Sequence, residues 1–344
     1  PRLPTADSRL PASEASMTTP VLTLNVSGSD AARTVAAIVR AERFGLAGVW
    51  VPTMGVGPDA LTSLAAAAMR TERVSLGTGV LPAFPRHPLV MAQQALAVAS
   101  LAPGRLRLGI GTSHRQGMEG VFGVDMRAPL RHLREYLRVL KTALADGTVE
   151  HVGPRYTVHA RLPAPEPPVP VMIAALGPGA FRLAGEAADG AVSWLCPPAY
   201  LERVALPALR EGAERSGRPA PPLVAGLPIA VCTDAEAVRA TVRTQLAGYV
   251  RAPFYQQMLV AAGLPEATAG TWSDRMVEEV VLAGDEAAVA DRLSALAAAG
   301  IDEVAVTPLL VGPDSRASMQ RTLELLAALS LEPPSLHSTD KATV

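Results

Sequence analysis

The sequence predicts an α/β protein of the (β/α)8 TIM-barrel class with insertions. Eight strand-like segments alternate with eight helix-like segments, and this alternation is typical of a parallel sheet covered by helices. Eight such units close a barrel, which usually needs about 250 residues. The chain of 344 residues therefore leaves room for insertions. We expect a single barrel domain over residues 21–330, with no linker that divides it.

The units follow one another regularly along the chain. The first four pair strands at 21–27, 47–52, 73–82 and 105–112 with helices at 30–44, 59–70, 88–101 and 129–145. The last four pair strands at 168–176, 190–194, 223–232 and 302–310 with helices at 179–188, 199–215, 235–249 and 315–329. The clearest helix is 129–145, because its leucines recur at helical spacing.

Two regions interrupt the alternation, and both termini differ from the barrel. Residues 146–168 predict a short β-hairpin and a proline-rich loop, and 250–300 add a helical segment and a final helix at 285–299. Residues 1–20 are predicted to be a disordered leader, because the start is rich in Pro, Ser and Ala and lacks the apolar segment of a signal peptide. Residues 331–344 are predicted to be a flexible tail.

Composition argues against several classes of protein. The 31 basic residues balance 32 acidic ones, for a net charge of -1, which does not indicate a nucleic-acid-binding surface. No apolar run approaches the roughly 20 residues of a membrane span. Only Cys196 and Cys232 occur, so a disulfide framework is excluded and a reduced cytoplasmic location is expected. The histidines show no metal-ligand spacing, so no metal is expected.

A glycine-containing stretch, LGIGTSHRQG at 108–117, follows the fourth strand. It fails as a dinucleotide fingerprint, because His114 stands at the sixth position and no helix is predicted before 129. It also lacks the Gly-Lys-Ser/Thr of a phosphate-binding P-loop. Because barrel strands end at the active-site face, His114 is predicted to lie above strand 4, with Gly109 and Gly111 admitting a flat ligand. A tight turn with a solvated histidine is an equal alternative.

Similar glycines end two neighbouring strands. Gly77 and Gly79 end the third strand, and two adjacent G-x-G endings indicate a planar ligand lying across strands 3 and 4. The fifth strand runs into GPGA at 177–180, a helix start whose backbone N–H groups can hold a phosphate. Since proline has no N–H, Gly179 and Ala180 are the better donors. The alternative is simply a helix that begins with proline.

The other histidines have structural interpretations. His87 precedes Pro88 and is interpreted as the lead into a helix, although it is also within reach of the third strand end. His132 lies among arginines of the fourth helix and is expected to be solvated. His151 and His159 flank the predicted hairpin. We therefore expect His114 to be the histidine of the site.

Together these stretches resemble the bacterial luciferase-like superfamily. The similarity spans 21–312 and is carried by FGLAGVWVP (44–52), TERVSLGTGVLPAFPRHPLVMAQQA (71–95), APGRLRLGIGTSHR (102–115) and ALGPGAFRLAGEAADGAVSW (175–194). RLRLGIGTSHR (105–115) and PFYQQMLVAAG (253–263) are similar to the subfamily of oxidoreductases that use the deazaflavin coenzyme F420.

The resemblance implies a barrel that binds F420 at its C-terminal face, commonly as a homodimer. It also implies a non-prolyl cis peptide at Gly79–Val80 against the ring, and a phosphate-binding loop at 177–180. The cofactor-binding residues that it implies are Gly77, Thr78, Gly79, Val80, Gly109, Gly111, Thr112, Ser113, His114, Ala174, Gly177, Pro178, Gly179 and Ala180.

One position departs from the resemblance. Several F420-dependent dehydrogenases carry Asp-His after strand 2, within Trp-x-x-Asp-His, where this chain has Thr53 and Met54. The missing histidine argues against an alcohol or sugar-phosphate dehydrogenase that depends on it. In sugar-phosphate dehydrogenases of this kind the end of strand 4 supplies an acid/base position, and the matching residue here is His114.

The expected function is hydride transfer between the deazaflavin C5 and a small organic substrate. His114 is the expected catalytic proton donor or acceptor, supported by Thr112 and Ser113. An FMN-dependent monooxygenase and a non-catalytic flavin- or deazaflavin-binding protein are the alternatives, because both cofactors are flat and phosphorylated. An apolar or aromatic substrate is expected from loop residues Met54, Phe84, Met118, Phe122, Phe254, Tyr255 and Trp272.

Overall fold

The computed structural model describes residues 19–53, 55–163, 167–312 and 314–331. Its strands are β1 (Val21–Asn25), β2 (Gly48–Val51), β3 (Ser75–Thr78), β4 (Leu81–Pro82), β5 (Leu106–Gly111), β6 (Thr148–Val152), β7 (Thr157–Arg161), β8 (Val171–Ala174), β9 (Gly190–Trp194), β10 (Leu223–Val231), β11 (Leu282–Gly284) and β12 (Glu303–Pro308).

Eight of these strands close a parallel barrel, which confirms the predicted fold class. The barrel order is β1-β2-β3-β5-β8-β9-β10-β12, and β12 pairs with β1 to close it. β4 extends beyond β3 and pairs with β5, while β11 pairs with the end of β10. β6 and β7 form the antiparallel hairpin that the sequence predicts.

Helices separate the barrel strands. They are α1 (Ala31–Arg43), α2 (Ala60–Ala68), α3 (Pro88–Leu101), α4 (Arg115–Phe122), α5 (Pro129–Ala145), α6 (Pro178–Ala187), α7 (Pro198–Tyr200), α8 (Leu206–Arg215), α9 (Ala235–Gln245), α10 (Ala247–Val250), α11 (Pro253–Ala261), α12 (Asp274–Val280), α13 (Glu286–Ala298) and α14 (Ser315–Leu331). A π-helical turn at Leu201–Ala205 joins α7 to α8, and a 3₁₀ helix at Pro265–Ala269 follows α11.

The predicted helices are present, although those predicted over 199–215 and 235–249 are each divided into shorter segments. α4 occupies part of the stretch before residue 129, which the sequence predicts to be a loop. The sequence does not indicate this helix because Gly117 and Gly120 weaken its helical pattern. α12 and β11 were not predicted. The predicted leader lies outside the described residues apart from Thr19 and Pro20, and so does the predicted tail beyond Leu331.

The barrel interior pairs large side chains with glycines on neighbouring strands. A Cβ added to Gly77 would lie 2.5 Å from the Trp50 ring, and one added to Gly226 would lie 2.9 Å from the Trp194 ring. No real Cβ fits so closely, so the two tryptophans fill space that only glycine leaves open. These glycines are therefore required by packing inside the barrel.

A polar network crosses the amino-terminal half of the barrel. Arg107 on β5 makes two hydrogen bonds of 2.6 Å to the carboxylate of Glu303, the first residue of β12. The same carboxylate accepts hydrogen bonds from Trp50 Nε1 (2.9 Å) and Thr23 Oγ1 (2.8 Å). The Arg107 guanidinium also lies 4.3 Å from the centre of the Trp50 ring. Four strands are thus tied together at the end of the barrel associated with stability.

His132 is buried, so the expectation that it is solvated was wrong. Its ring stacks on Phe84 with 3.9 Å between centroids, and its Nε2 shares a 2.7 Å hydrogen bond with the Tyr156 hydroxyl. Desolvation lowers the pKa of His132 to about 4, and the nearby Arg155 adds to this shift. The neighbouring Arg131 is exposed. The arginines around His132 in the sequence therefore do not indicate whether His132 itself is exposed.

We expect His132 to make folding stability fall as the pH falls from 6.5 to 4. The unfolded chain protonates this histidine near pH 6.5, whereas the folded chain resists until about pH 4, so the stabilisation present above pH 6.5 is lost in this window. The loss reaches about 2 kcal/mol at pH 5. Urea denaturation at pH 7 and pH 5 measures it. Glutamine does not titrate, so His132→Gln should lose about 2 kcal/mol less stability than the wild type between pH 7 and pH 5. Equal losses of stability in the two proteins would show that His132 does not cause the pH dependence.

Candidate active site

The carboxyl ends of the barrel strands surround one opening, which we call the mouth. Asn25 ends β1 and donates hydrogen bonds of 3.0 Å to Ala305 O and Thr307 Oγ1 of β12. A Cβ added to Gly79 would lie 3.6 Å from Asn25 Oδ1, so the end of β3 faces the same opening. TIM barrels place their catalytic groups at this end.

Three of the predicted site residues meet at the mouth. A Cβ added to Gly111 would lie 2.9 Å from Ala174 Cβ and 3.0 Å from Val80 Cγ2. The peptide bond Gly79–Val80 is cis, as the resemblance implies. The ends of β3, β5 and β8 therefore present one continuous surface of small side chains and backbone.

Gly77, Thr78 and Gly109 lie deeper in the barrel wall and are buried. The Trp50 ring occupies the space beside Gly77, and a Cβ on Gly109 would overlap the carbonyl oxygen of Thr78. The Thr78 hydroxyl donates a 2.7 Å hydrogen bond to Gly109 O. Strand packing thus accounts for these residues, and their predicted contact with a flat ligand stays a prediction.

The loop after β8 leads into an open helix start. Gly177 is the N-cap of α6, no side chain caps this end, and no acidic residue occupies the first turn. A Cβ on Gly177 would meet nothing within 4 Å, and one on Gly179 would lie 3.2 Å from Leu130 Cδ1 of α5. The Ala180 N–H donates to Gly177 O at 3.0 Å. Of the two expected donors, Gly179 is therefore the one that remains available at this helix start.

His114 lies at the rim of the mouth as the N-cap of α4, and its side chain makes no capping hydrogen bond. Ser113, with φ +59°, turns the chain between β5 and this helix. The imidazole stacks on Tyr255 with 5.9 Å between centroids and an interplanar angle of 20°. The residue as a whole is exposed, yet partial desolvation of the ring lowers the pKa of His114 below its usual 6.5. Desolvation thus favours the neutral form of the imidazole.

The rings of His114, Tyr255, Tyr249 and Trp194 form a continuous wall, which we call the aromatic arc. The ring centroids of Tyr255 and Tyr249 are 5.1 Å apart, and their planes meet edge-to-face at 71°. The ring centroids of Tyr249 and Trp194 are 6.0 Å apart, and their planes meet at 65°. The arc links the end of β5 to the end of β9, the two neighbours of β8. α10 and α11 supply both tyrosines, so the insertion after α9 completes the site.

The other residues expected to line the site lie in different environments. Trp272 is buried and donates from Nε1 to Leu246 O at 2.9 Å. Met118 is buried in the core, and Phe84 stacks on His132. Phe122 and Phe254 are exposed, and Met54 lies outside the described residues. Of the six of these residues that the structure describes, Tyr255 is the one that joins the aromatic arc.

Sequence reasoning missed Trp194 and Tyr249. Trp194 is the last residue of β9, and its position at a barrel strand end was the available signal. Tyr249 fell at the end of a predicted helix, where the sequence does not reveal which element it contacts. Thr53 has a local role, because its Oγ1 accepts a 3.0 Å hydrogen bond from the Ala60 N–H at the start of α2.

Two further expectations concern absences. Among the described residues, no group of three or more His, Cys, Asp or Glu side chains is arranged to hold a metal. In the same part of the chain, every helix is too short or too polar to cross a membrane. Cys196 and Cys232 are both free thiols, and the cytoplasmic location inferred from the cysteine count stays a prediction.

The fold and the mouth define a TIM-barrel protein with a site at the carboxyl ends of its strands. The chain belongs to the luciferase-like monooxygenase family, whose family model matches residues 14–303.

Two curated relatives are F420-dependent glucose-6-phosphate dehydrogenases. That of Kineococcus radiotolerans is 39% identical over 198 residues, which cover 52% of this chain and 58% of the relative. That of Beutenbergia cavernae is 35% identical over 246 residues, 65% of this chain and 71% of the relative. The chain thus spans little more than half of the Kineococcus protein that it matches.

A solved structure shares the fold. The coenzyme F420-dependent tetrahydromethanopterin reductase from Methanopyrus kandleri superposes with a TM-score of 0.73 at 22% identity. The superposition covers 90% of this chain and 97% of that chain. At this identity the likeness concerns the fold, and the barrel arrangement accords with it.

Proposed function

We propose that the protein is an F420-dependent oxidoreductase that transfers a hydride between C5 of the deazaflavin and a small organic substrate. The observation that carries the proposal is the meeting of Val80, Gly111 and Ala174 at the mouth, on a rim that also holds His114. The F420-dependent relatives support the choice of cofactor.

The residues at the mouth fit a flat, phosphorylated cofactor. Val80, Gly111 and Ala174 offer a shallow surface on which a ring system can lie. The start of α6 offers the Gly179 N–H and the positive end of a helix dipole, without an acidic residue in the first turn. When bound, the deazaflavin supplies the hydride chemistry at C5, while the protein binds and orients its partners.

His114 is the proposed proton donor or acceptor for the substrate. Because desolvation keeps its pKa below 6.5, the neutral ring accepts a proton from a substrate hydroxyl or amine near pH 7. In the reductive direction the hydride goes to carbon, and His114 would give its proton to the carbonyl oxygen, the imine nitrogen or the α-carbon of an enone. This requires a protonated imidazole, which a lower pH favours. Thr112 and Ser113 are half-buried beside it and are proposed to hydrogen-bond the cofactor or the substrate.

An apolar or aromatic substrate is proposed in preference to a sugar phosphate. The aromatic arc lines one side of the mouth with Tyr255, Tyr249 and Trp194. Arg115, the cation next to His114, is already paired with Glu119 at 2.6 Å and donates to Met126 O. Thr53 stands where several dehydrogenases have the first residue of an Asp-His pair, and it is engaged with α2.

Titration with F420 and FMN tests the proposal and its alternatives. We expect F420 to bind with a change in its fluorescence, and reduced F420 to be oxidised by members of a panel of apolar enones, imines and ketones without oxygen uptake. Preferential binding of reduced FMN with oxygen uptake would support a monooxygenase. Tight F420 binding without turnover of any probe, in either direction, would support a non-catalytic carrier.

We also propose that the protein is a homodimer that pairs through α2 and α3. Neither helix contains a charged residue, and Met69, Val90 and Leu101 on or beside them are exposed. We propose that these side chains form one apolar patch, and contiguous exposed apolar surface typically marks an interface. Ala97→Glu places a charge on the exposed side of α3, and light scattering should then report monomers, whereas the matched Ala240→Glu on α9 should stay dimeric. A wild-type monomer would contradict the proposal.

A further inference from the structure

We propose that Tyr255 is a positioning residue for His114, which holds the imidazole in one orientation at the rim of the mouth and keeps part of it out of water. For its effect on turnover, this inference rests on the proposed function of His114. Its structural content, the orientation and solvation of the ring, does not depend on which cofactor binds.

Packing against another ring, rather than a hydrogen bond, orients the His114 imidazole. None of the hydrogen bonds between described residues involves the His114 imidazole. A histidine that moves protons is normally oriented by a hydrogen bond at its second nitrogen. Here the near-parallel Tyr255 ring takes that place, at 5.9 Å and 20°. Both ring nitrogens are thereby left to meet a substrate or water.

Tyr255 is itself held firmly enough for this role. It is 7% exposed in α11, and Tyr249 packs edge-on against it at 5.1 Å. Tyr249 in turn contacts Trp194 at the end of β9. The stacking partner of His114 is therefore anchored to the barrel on the far side of β8, rather than to the loop that carries the histidine.

Charged groups near His114 do not explain why its pKa is lowered. Burial raises the pKa of both Tyr249 and Tyr255 above 10, so both are uncharged at neutral pH. Burial raises the pKa of Cys196, which acts electrostatically on Tyr255, to about 12, so this thiol is uncharged as well. On α4, Arg115 is paired with Glu119. Exclusion of water from the ring remains as the cause, and Tyr255 covers one face of that ring.

Removal of the Tyr255 ring should therefore change how His114 titrates. Tyr255→Leu opens one face of the imidazole to water, and we expect its pKa to rise toward 6.5. Tyr255→Phe keeps the ring and should titrate like the wild type. Phe254→Leu changes the exposed neighbour on the same helix and serves as the matched control, with no expected shift.

NMR titration of the protein without cofactor measures this directly, with the His114 signal assigned by its loss in His114→Asn. The pH dependence of kcat in the active enzyme should move in the same direction in Tyr255→Leu and stay in place in Tyr255→Phe. An unshifted His114 titration in a folded Tyr255→Leu variant would overturn the proposal. A wild-type His114 that titrates at 6.5 would overturn it as well.

A second variant covers the case in which Tyr255→Leu does not fold. Tyr249→Leu removes the edge contact that holds Tyr255, and a smaller rise of the His114 pKa is expected, whereas no rise would count against the proposal. The two proposals fail separately. If no substrate is turned over with F420 but the NMR shift is seen, the positioning role stands and the proposed function falls. If substrate is turned over but the His114 pKa does not shift, the proposed function stands and the positioning role falls.

Discussion

Replacing His114 with asparagine is expected to lower turnover about 10²- to 10⁴-fold, the range typical for loss of a general acid or base. Asparagine keeps polarity and approximate size at the N-cap of α4, but it does not exchange protons near neutral pH. The loss of turnover should exceed any change in F420 affinity, because the surface proposed for the ring consists of Val80, Gly111 and Ala174 and His114 lies at its rim. The measurement is kcat at saturating F420, with binding followed by fluorescence.

The matched control for this variant is His159→Asn. His159 lies in the β6–β7 hairpin and is exposed beside Glu150, so its replacement should leave kcat and stability as they are. The pH dependence of kcat offers a second check, since the limb that reports His114 should disappear in His114→Asn. Wild-type turnover in His114→Asn at saturating cofactor would show that His114 is not the acid or base.

Replacing Arg107 with methionine is expected to destabilise the barrel by about 3 kcal/mol. The guanidinium makes two 2.6 Å hydrogen bonds to Glu303 and covers the Trp50 ring. Glu303 is 6% exposed, so its carboxylate would remain buried and without its cation. Because a lone buried charge costs more than the pair contributed, the loss exceeds that of any surface ion pair.

Urea denaturation checks this, with Arg321→Met as the matched control. Arg321 pairs with Glu286 on the surface, where both side chains are about half exposed, and its loss should cost no more than about 1 kcal/mol. The double variant Arg107→Met with Glu303→Leu should recover part of the stability, because the lone charge is gone. Recovery stays partial since Trp50 Nε1 and Thr23 Oγ1 lose their acceptor. Equal effects of Arg107→Met and Arg321→Met would contradict the argument.

Local patterns were sufficient for most of the barrel. Alternating strands and helices predicted eight parallel units, and the leucine spacing predicted α5 to its terminal residues, Pro129 and Ala145. His87 was predicted to lead into α3, and its Nδ1 indeed accepts a hydrogen bond from the Leu89 N–H at 3.2 Å. These features depend on neighbours in sequence, so one sequence contains their causes.

The site was only partly predictable. The resemblance located Gly79–Val80, Gly111 and Ala174, and they do meet at the mouth. By contrast, Gly77 was predicted to admit a ligand, and the structure adds a packing reason, the Trp50 ring on the neighbouring strand. Which side chain occupies the space beside a glycine depends on strand register, which the sequence of one strand does not contain.

The sequence by itself determined the parallel barrel, the strand ends that carry the mouth, and the position of His114 after β5. Only the tertiary structure decided that His132 is buried against Phe84, and that Tyr255 and Tyr249 cover His114 from an insertion more than a hundred residues away in the chain. The physical reason is that periodicity records which face of an element is apolar. The partner that covers that face, and the water it excludes, are set by contacts between elements distant in sequence.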